Sequence, residues 1–560
     1  MTAQVLAYTP QNPIRVVTAT ALFDGHDAAI NIYRRMLQSA GVEVIHLGHN
    51  RSVRDIVDAA VQEDVQGVAV SSYQGGHVEF FKYLVDLLRE SGAPHVRVFG
   101  GGGGVIVPEE VQDLEAYGVT KIYTPEDGAR MGLQGIVEHM VRTLDFSRVD
   151  QSPVDLSRLV PDNVPLVANL ITTIAENGSN GRWERLRADL RAKAADRIVP
   201  VVGITGTGGS GKSSLTDELI QRLMLDQPAM RVAIFSADPS RRKTGGALLG
   251  DRIRMNAIGD ERVFMRSLAT RQSASEIPAG LDDVVLVAKA AGFDLIIVET
   301  AGIGQGDSSI VAQVDLSIYV MTSDFGAASQ LEKIDMLDFA DLVVVNKFEK
   351  RGGEDAVRDV RKQVQRNRTA FDLASEQMPV FGTIAAKFND DGVTALYQSL
   401  LETIAAKTGV RFVSGLPQPP GRTSSSQTII IPPERTRYLA EIAQAVRKYH
   451  AHTDRQAEAL RRVWHLEQAA QTVDRGASAG DREALLAQLR KEAELARQAV
   501  DPASERLLGQ WEEIRRAYSQ DQLVYTVRDE EIRTPLHAES LSHQKIPKIA
   551  LPALDEPGAL

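Results

Sequence analysis

The chain contains no cysteine in 560 residues. That one absence removes disulfides, thiolate nucleophiles, Cys-ligated zinc and Cys-held iron–sulfur clusters together. A surplus of positive charge is also missing. The formal net charge is −11, which argues against a nucleic-acid partner or an anionic membrane surface. No uninterrupted apolar run approaches the roughly 20 residues of a membrane span. Met1–Gln11 has neither a basic n-region nor an apolar h-region, so no secretory signal is expected and the expected location is cytoplasmic. No internal repeat is found. What is present is balanced: 43% hydrophobic and 24% charged residues exclude wholesale disorder. The length suits roughly three or four domains.

Residues 1–145 read as alternating strands and helices. The apolar runs Arg15–Thr20, Val42–Leu47, Gly67–Ser72, Val96–Gly100 and Lys121–Thr124 are separated by helical patterns at Ala28–Ala40, Val53–Gln62, Val78–Glu90 and Pro108–Tyr117, closing with Gly128–Leu144. Such β/α units predict a flavodoxin-like five-stranded parallel sheet with ligands at the carboxyl ends of its strands. Residues 146–198 are polar and mixed, a helical connector by composition. A second α/β region covers 199–413, with strands expected at Val199–Thr205, Val232–Asp238, Asp294–Thr300, Leu316–Met321, Leu342–Asn346 and Val380–Thr383. Residues 414–520 begin with a Pro/Ser/Gly-rich break, 414–433, and continue as a helical linker. Leu439, Ile442, Val446 and Tyr449 are spaced for one helix face, and Leu485, Leu489, Ala493, Ala496 and Val500 repeat the pattern after an interruption at 474–482. The segment 521–560 offers strands at Leu523–Val527 and Lys548–Leu551. Forty residues build no useful core alone, so it reads as the leading edge of a further domain.

The sharpest motif is Gly206-Thr207-Gly208-Gly209-Ser210-Gly211-Lys212-Ser213, a complete GxxxxGK[ST]. It lies between an apolar strand and the helical pattern Leu215–Leu225, the context a phosphate loop requires. Backbone N–H groups at the helix start cradle phosphates, Lys212 adds charge at the β- and γ-phosphates, and the Ser213 hydroxyl suits magnesium. Gly209, Ser210, Gly211, Lys212, Ser213 and Ser214 are the expected nucleotide contacts. Asp238 and Glu299 end strands, and Asp251 follows in GALLGDRIRM. As hard oxygen donors all three suit a phosphate-bound Mg²⁺, with Thr300 beside them. Arg254 is placed to stabilise charge on the transferred phosphoryl, and with Lys212 makes the expected catalytic pair. Asn346-Lys347-Phe348-Glu349 ends another strand where GTPases carry NKxD. Glu349 keeps the guanine-reading carboxylate on a longer arm, so GTP is the expected substrate.

After the first strand comes Asp24-Gly25-His26-Asp27. A loop histidine with a carboxylate two residues earlier can be a metal ligand oriented by that acid. With Ser71-Ser72-Tyr73 and Gly101–Gly104 it resembles the DxHxxG…SxL…GG signature of the cobalamin-binding domain of acyl-CoA mutases. The resemblance implies cobalamin with cobalt on His26, Asp24 on the other ring nitrogen, and the nucleotide tail in a cleft lined by Ser71, Ser72, Gly101 and Gly102. Ala29 and Tyr73 depart from that pattern, where it has Gly and Leu.

Ser236–Met255 and Val298–Asp307 resemble the switch and metal motifs of the G-protein chaperones of such mutases. The order of domains is similar to the fused isobutyryl-CoA mutases, and the likeness covers essentially the whole chain but only about the first half of a family protein. It implies adenosylcobalamin, an acyl-CoA substrate bound by a mutase domain, GTP-gated cofactor loading and repair, an adenosyltransferase as loading partner, and a homodimer. The alternative kept open is a stand-alone GTP-driven cobalamin carrier for a separate mutase. A corrinoid regulator or methyl-transfer module fits the first domain but leaves the GTPase unexplained. A dinucleotide-binding oxidoreductase fails, because G-x-G-x-x-G is absent from the first βα turn.

Overall fold

Runs of buried residues on both faces mark strands sandwiched between helices, and this chain builds two such sheets. The computed structural model describes residues 8–149, 152–176, 181–241, 244–271, 277–302, 308–325, 331–425, 437–476, 482–527, 530–540 and 543–560. They fall into two compact units, 1–430 and 431–560.

The first sheet contains β1 (Arg15–Ala21), β2 (Glu43–Arg51), β3 (Gly67–Ser71), β4 (Arg97–Gly101) and β5 (Lys121–Ile122). β5 is shorter than the sequence suggests because Thr124 is diverted to cap the next helix, its hydroxyl accepting from the Asp127 N–H. The helices are α1 (Ala28–Ser39), α2 (Val53–Gln62), α3 (His77–Glu90), α4 (Pro108–Tyr117) and α5 (Pro125–Leu144), the last interrupted by Gly132 at φ 65°. All pairings are parallel, in the order β5-β4-β3-β1-β2. This is the doubly wound arrangement expected, with its switch point between β1 and β3.

α6 (Val164–Glu176) and α7 (Gly181–Ala194) fall in the stretch read as a connector. They are not a solvated tether: Val167, Ile171, Trp183 and Leu190 are buried in one cluster with Phe235, Phe264 and Val298 of the second sheet. That sheet holds β6 (Val201–Gly206), β7 (Val232–Asp238), β9 (Val263–Ala269), β10 (Leu295–Glu299), β11 (Leu316–Thr322), β12 (Leu342–Asn346) and β13 (Val380–Thr383). Their order is β13-β12-β11-β6-β10-β7-β9, all parallel. Strand β9 is not expected from the sequence. Its run VFMRSLA is wholly buried, yet Arg266 and Ser267 break the apolar pattern from within. Of the helices around this sheet, α8 (Lys212–Asp226) follows β6 directly.

A short strand, β8 (Ala247–Leu249), is also unforeseen, and it belongs to the other sheet. Ala247, Leu248 and Leu249 pair in parallel with Glu43, Val44 and Ile45 of β2, giving the first sheet a sixth strand from the second region. Part of the Pro/Ser-rich break also packs on this unit: Arg422 donates to the Gln377 and Met378 carbonyls, and Ser424 donates to Asp390.

In the second unit a 39-residue helix, Tyr438–Gly476, is followed by helices Arg482–Arg497 and Pro502–Tyr518. Val463, Leu486, Ala493 and Val500 are buried, whereas Leu439, Ile442, Val446 and Tyr449 on the expected face are exposed. Hairpin strands Gln522–Val527 and Glu530–Pro535 follow. The expected strand at Lys548–Leu551 does not form; Lys545–Pro547, just before it, pairs with His537–Glu539 instead.

Candidate functional site

At the carboxyl edge of the first sheet, a loop after β1 turns Asp24 inward and His26 outward. The Asp24 side chain is 1% exposed and that of His26 75%. Asp24 Oδ1 accepts from His26 Nδ1 at 2.7 Å and from the His26 N–H at 2.8 Å, while its Oδ2 accepts from the Tyr73 N–H. Burial opposes the charge, but these backbone and ring donors hold the Asp24 carboxyl below its usual range. With Nδ1–H committed to a carboxylate, Nε2 is left with its lone pair for a ligand. Tyr73 lies beside the ring, centroids 5.2 Å apart.

Beneath this loop a cavity of about 340 Å³ opens at the switch point, walled by Ile30, Tyr33, Phe99, Tyr123 and Met140. Ser71 and Ser72 at the end of β3 are buried, and neither hydroxyl has a hydrogen-bond partner. Glycine lets the loop approach β3 closely: a Cβ on Gly102 would lie 2.0 Å from the Ser72 carbonyl oxygen. Gly101 also lines the cavity. Orphaned hydroxyls, an apolar slot and a turned-out imidazole suit a large planar ligand carrying a metal above and a polar tail below. Cobalamin fits that donor set.

The second site lies at the end of β6. Gly211 takes φ 91°, which L side chains rarely adopt, and its neighbour across the loop leaves no room either, since a Cβ would meet Asn346 Nδ2 at 2.5 Å. Lys212 Nζ donates to the carbonyls of Gly206 and Thr207 at 3.0 and 3.3 Å. Asn346 Nδ2 donates to the Ser210 carbonyl and Lys347 Nζ to that of Gly209, both at 2.8 Å. The end of β12 thus braces the phosphate loop directly. Glu349 lies exposed on the following turn, outside these contacts.

The expected metal donors converge. Ser213 Oγ donates to Glu299 Oε1 at 2.7 Å and lies 3.2 Å from Asp251 Oδ1. Thr216, which the sequence did not single out, donates to Glu299 Oε2 at 3.0 Å, and Ser236 to Asp251 Oδ2 at 2.5 Å. Asp238 accepts from the Gly250 N–H at 3.0 Å. Burial, then the neighbouring Asp251 carboxylate, pushes Asp238 up to about 8 and Glu299 to about 7. Buried acids crowded this way suit a divalent cation. Among the described residues no group of three or more His, Asp or Glu could hold a metal ion. Thr300 is buried and donates to Thr205 rather than to this cluster. Arg254 is 65% exposed, with Nη1 3.6 Å from Asp251 Oδ1.

Two sites of this kind on two parallel sheets define a cobalamin-binding domain joined to a P-loop GTPase. Comparison with known proteins agrees. Residues 14–131 match the family described as "B12 binding domain", and 167–426 match "Methylmalonyl Co-A mutase-associated GTPase MeaB". The chain is 55% identical over 553 residues to the fused isobutyryl-CoA mutase of Cupriavidus metallidurans, 98% of this chain and 50% of that protein. It is 50% identical over 558 residues to that of Geobacillus kaustophilus, 99% and 51%. A Pyrococcus horikoshii protein described as "Putative GTPase" is 31% identical over 259 residues, 45% of this chain and 77% of its own. Over nearly its whole length the chain is similar to fused isobutyryl-CoA mutases, and it spans about half the length of the mutases it matches. Among the described residues no helix is long and apolar enough to cross a membrane.

Proposed function

We propose that this chain hydrolyses GTP with magnesium and holds adenosylcobalamin on His26, as the cofactor-handling part of an isobutyryl-CoA mutase. The observation supporting it is that one compact unit combines a phosphate loop set among raised carboxyls with a carboxylate-oriented imidazole at the mouth of an apolar cleft. When bound, the cofactor supplies a weak cobalt–carbon bond whose opening starts radical rearrangement of an acyl-CoA. Asp24 fixes the imidazole tautomer, keeping the proton on Nδ1 and Nε2 toward cobalt. Ser71 and Ser72 meet the tail, and Gly101 and Gly102 leave space for it.

At the nucleotide site Lys212 exchanges its loop carbonyls for phosphate oxygens. Ser213, Asp251, Glu299 and Asp238 are the proposed magnesium set, with Thr300 behind them. Arg254 turns from Asp251 toward the charge developing on the transferred phosphoryl. Gly209–Ser214 line the phosphates, and Asn346, Lys347 and Glu349 take the guanine end. GTP use gates loading and repair of the cofactor, delivered by an adenosyltransferase to a homodimer. Phosphate release from GTP is the first test: wild type and Lys212→Ala should differ by orders of magnitude, and equal rates would exclude the phosphate loop as the active site.

A further inference from the structure

Between Asp238 and Asp251 the chain leaves the nucleotide domain, joins the sheet of its neighbour as β8, and returns. Ala247 and Leu249 are fully buried against β2. The approach is close enough that a Cβ on Gly246 would stand 2.1 Å from the Gln38 carbonyl oxygen. Two residues after β8 comes Asp251, bonded to Ser213 of the phosphate loop, and next to it Arg252 points the other way. Arg252 Nη1 lies 3.2 Å from Glu63 Oε1 and donates to the Met265 carbonyl at 3.1 Å, while Nη2 donates to Gln62 Oε1. Glu63, just beyond α2, is wholly buried. Its carboxylate also accepts from Arg15 Nη2 at 2.6 Å and from Ser267, through N–H and Oγ, at 3.0 Å.

We infer that Glu63 of the cobalamin-binding domain is a positioning residue of the GTPase: through Arg252 it sets where Asp251 stands. The inference rests on the reading that Asp251 belongs to the magnesium set. Glu63 touches neither nucleotide nor cation. It anchors the guanidinium one residue from Asp251, and a buried carboxylate with this many donors has one available position. β8 fixes the other end of the same short segment by backbone pairing. Asp251 is therefore held between a strand and an ion pair that both belong to the neighbouring domain. Metal affinity at the GTPase then depends on a residue that reading the GTPase motifs alone leaves out.

The test uses the full chain. GTP hydrolysis is followed against Mg²⁺ concentration, with GTP affinity in EDTA measured alongside as the check that the phosphate loop and base site remain intact. Glu63→Gln should raise the Mg²⁺ needed for half-maximal rate about tenfold, the usual scale for a residue supporting a metal ligand, with GTP affinity in EDTA unchanged. Gln62→Ala, which loosens Arg252 without unbalancing buried charge, should give a smaller rise of the same kind and serves where Glu63→Gln does not fold. Asp251→Asn separates the two levels. If it leaves the Mg²⁺ requirement unchanged, the magnesium reading itself fails and the inference with it. If Asp251→Asn raises it and both Glu63→Gln and Gln62→Ala leave it unchanged, the inference alone is overturned.

Discussion

Nδ1 of His26 stands 2.7 Å from Oδ1 of Asp24, and the same oxygen accepts the His26 backbone N–H at 2.8 Å. One buried carboxylate oxygen thus sets both the position and the tautomer of an exposed ring. His26→Ala should abolish the nitrogen hyperfine splitting from labelled histidine in the electron paramagnetic resonance of the Co(II) form. Asp24→Asn keeps the shape but loses the charge, and should weaken cobalamin binding about tenfold, roughly 1.4 kcal/mol. Unchanged hyperfine structure in His26→Ala would assign the cobalt ligand elsewhere.

The glycine cradle makes a sharper steric prediction. Gly102→Ala sets a methyl against a backbone oxygen 2.0 Å away, whereas a Cβ on Gly104 meets nothing within 4 Å. Gly102→Ala should therefore lose cobalamin affinity and lower thermal stability, and Gly104→Ala should do neither by equilibrium binding and thermal melts. Equal behaviour of the two would show that the run does not form the tail cleft.

The pH dependence of magnesium binding follows from the raised acids. Asp238 and Glu299, at about 8 and about 7 in the metal-free fold, hold protons that a cation must displace. Mg²⁺ affinity should rise with pH through this range and level off above it, with proton release visible by calorimetry in buffers of different ionisation enthalpy. For stability the sign is the reverse. An unfolded carboxyl titrates near roughly 4, so between there and about 8 the native state binds more protons. Metal-free protein should lose stability as pH rises across that window. Asp238→Asn should flatten both curves.

Base selectivity tests Glu349. A carboxylate matches two guanine donors and faces the acceptor N1 of adenine. A mispaired buried polar group costs roughly 1–3 kcal/mol, so GTP should be preferred over ATP tenfold or more in competitive titration. Glu349→Ala should erase that preference. Equal affinity in the wild-type chain would place base recognition elsewhere.

What the sequence by itself determined is what short-range chemistry determines. The phosphate loop, the strand ends bearing Asp238 and Glu299, and most of the parallel strands follow from spacing and periodicity over a few residues, while Asp24-x-His26 gained its meaning from the resemblance carried by Ser71-Ser72-Tyr73 and Gly101–Gly104. They were legible because each feature depends on its own neighbours in the chain. Tertiary structure alone decided the rest. The three residues of β8 carry no period, and they are a strand only because β2 offers an open edge. Arg266 and Ser267 obscure β9, being buried polar residues whose partners, Thr172, Gln62 and Glu63, lie far away in sequence. α6 and α7 look like a connector by composition and become core because a sheet face is there to cover them. Lys548–Leu551 has the apolar character of a strand, yet the adjacent Lys545–Pro547 is the segment that found a partner. Glu63 and Arg252 are 189 residues apart, and no local pattern marks either one. Burying those charges is tolerable only once both domains are folded and the two side chains face each other.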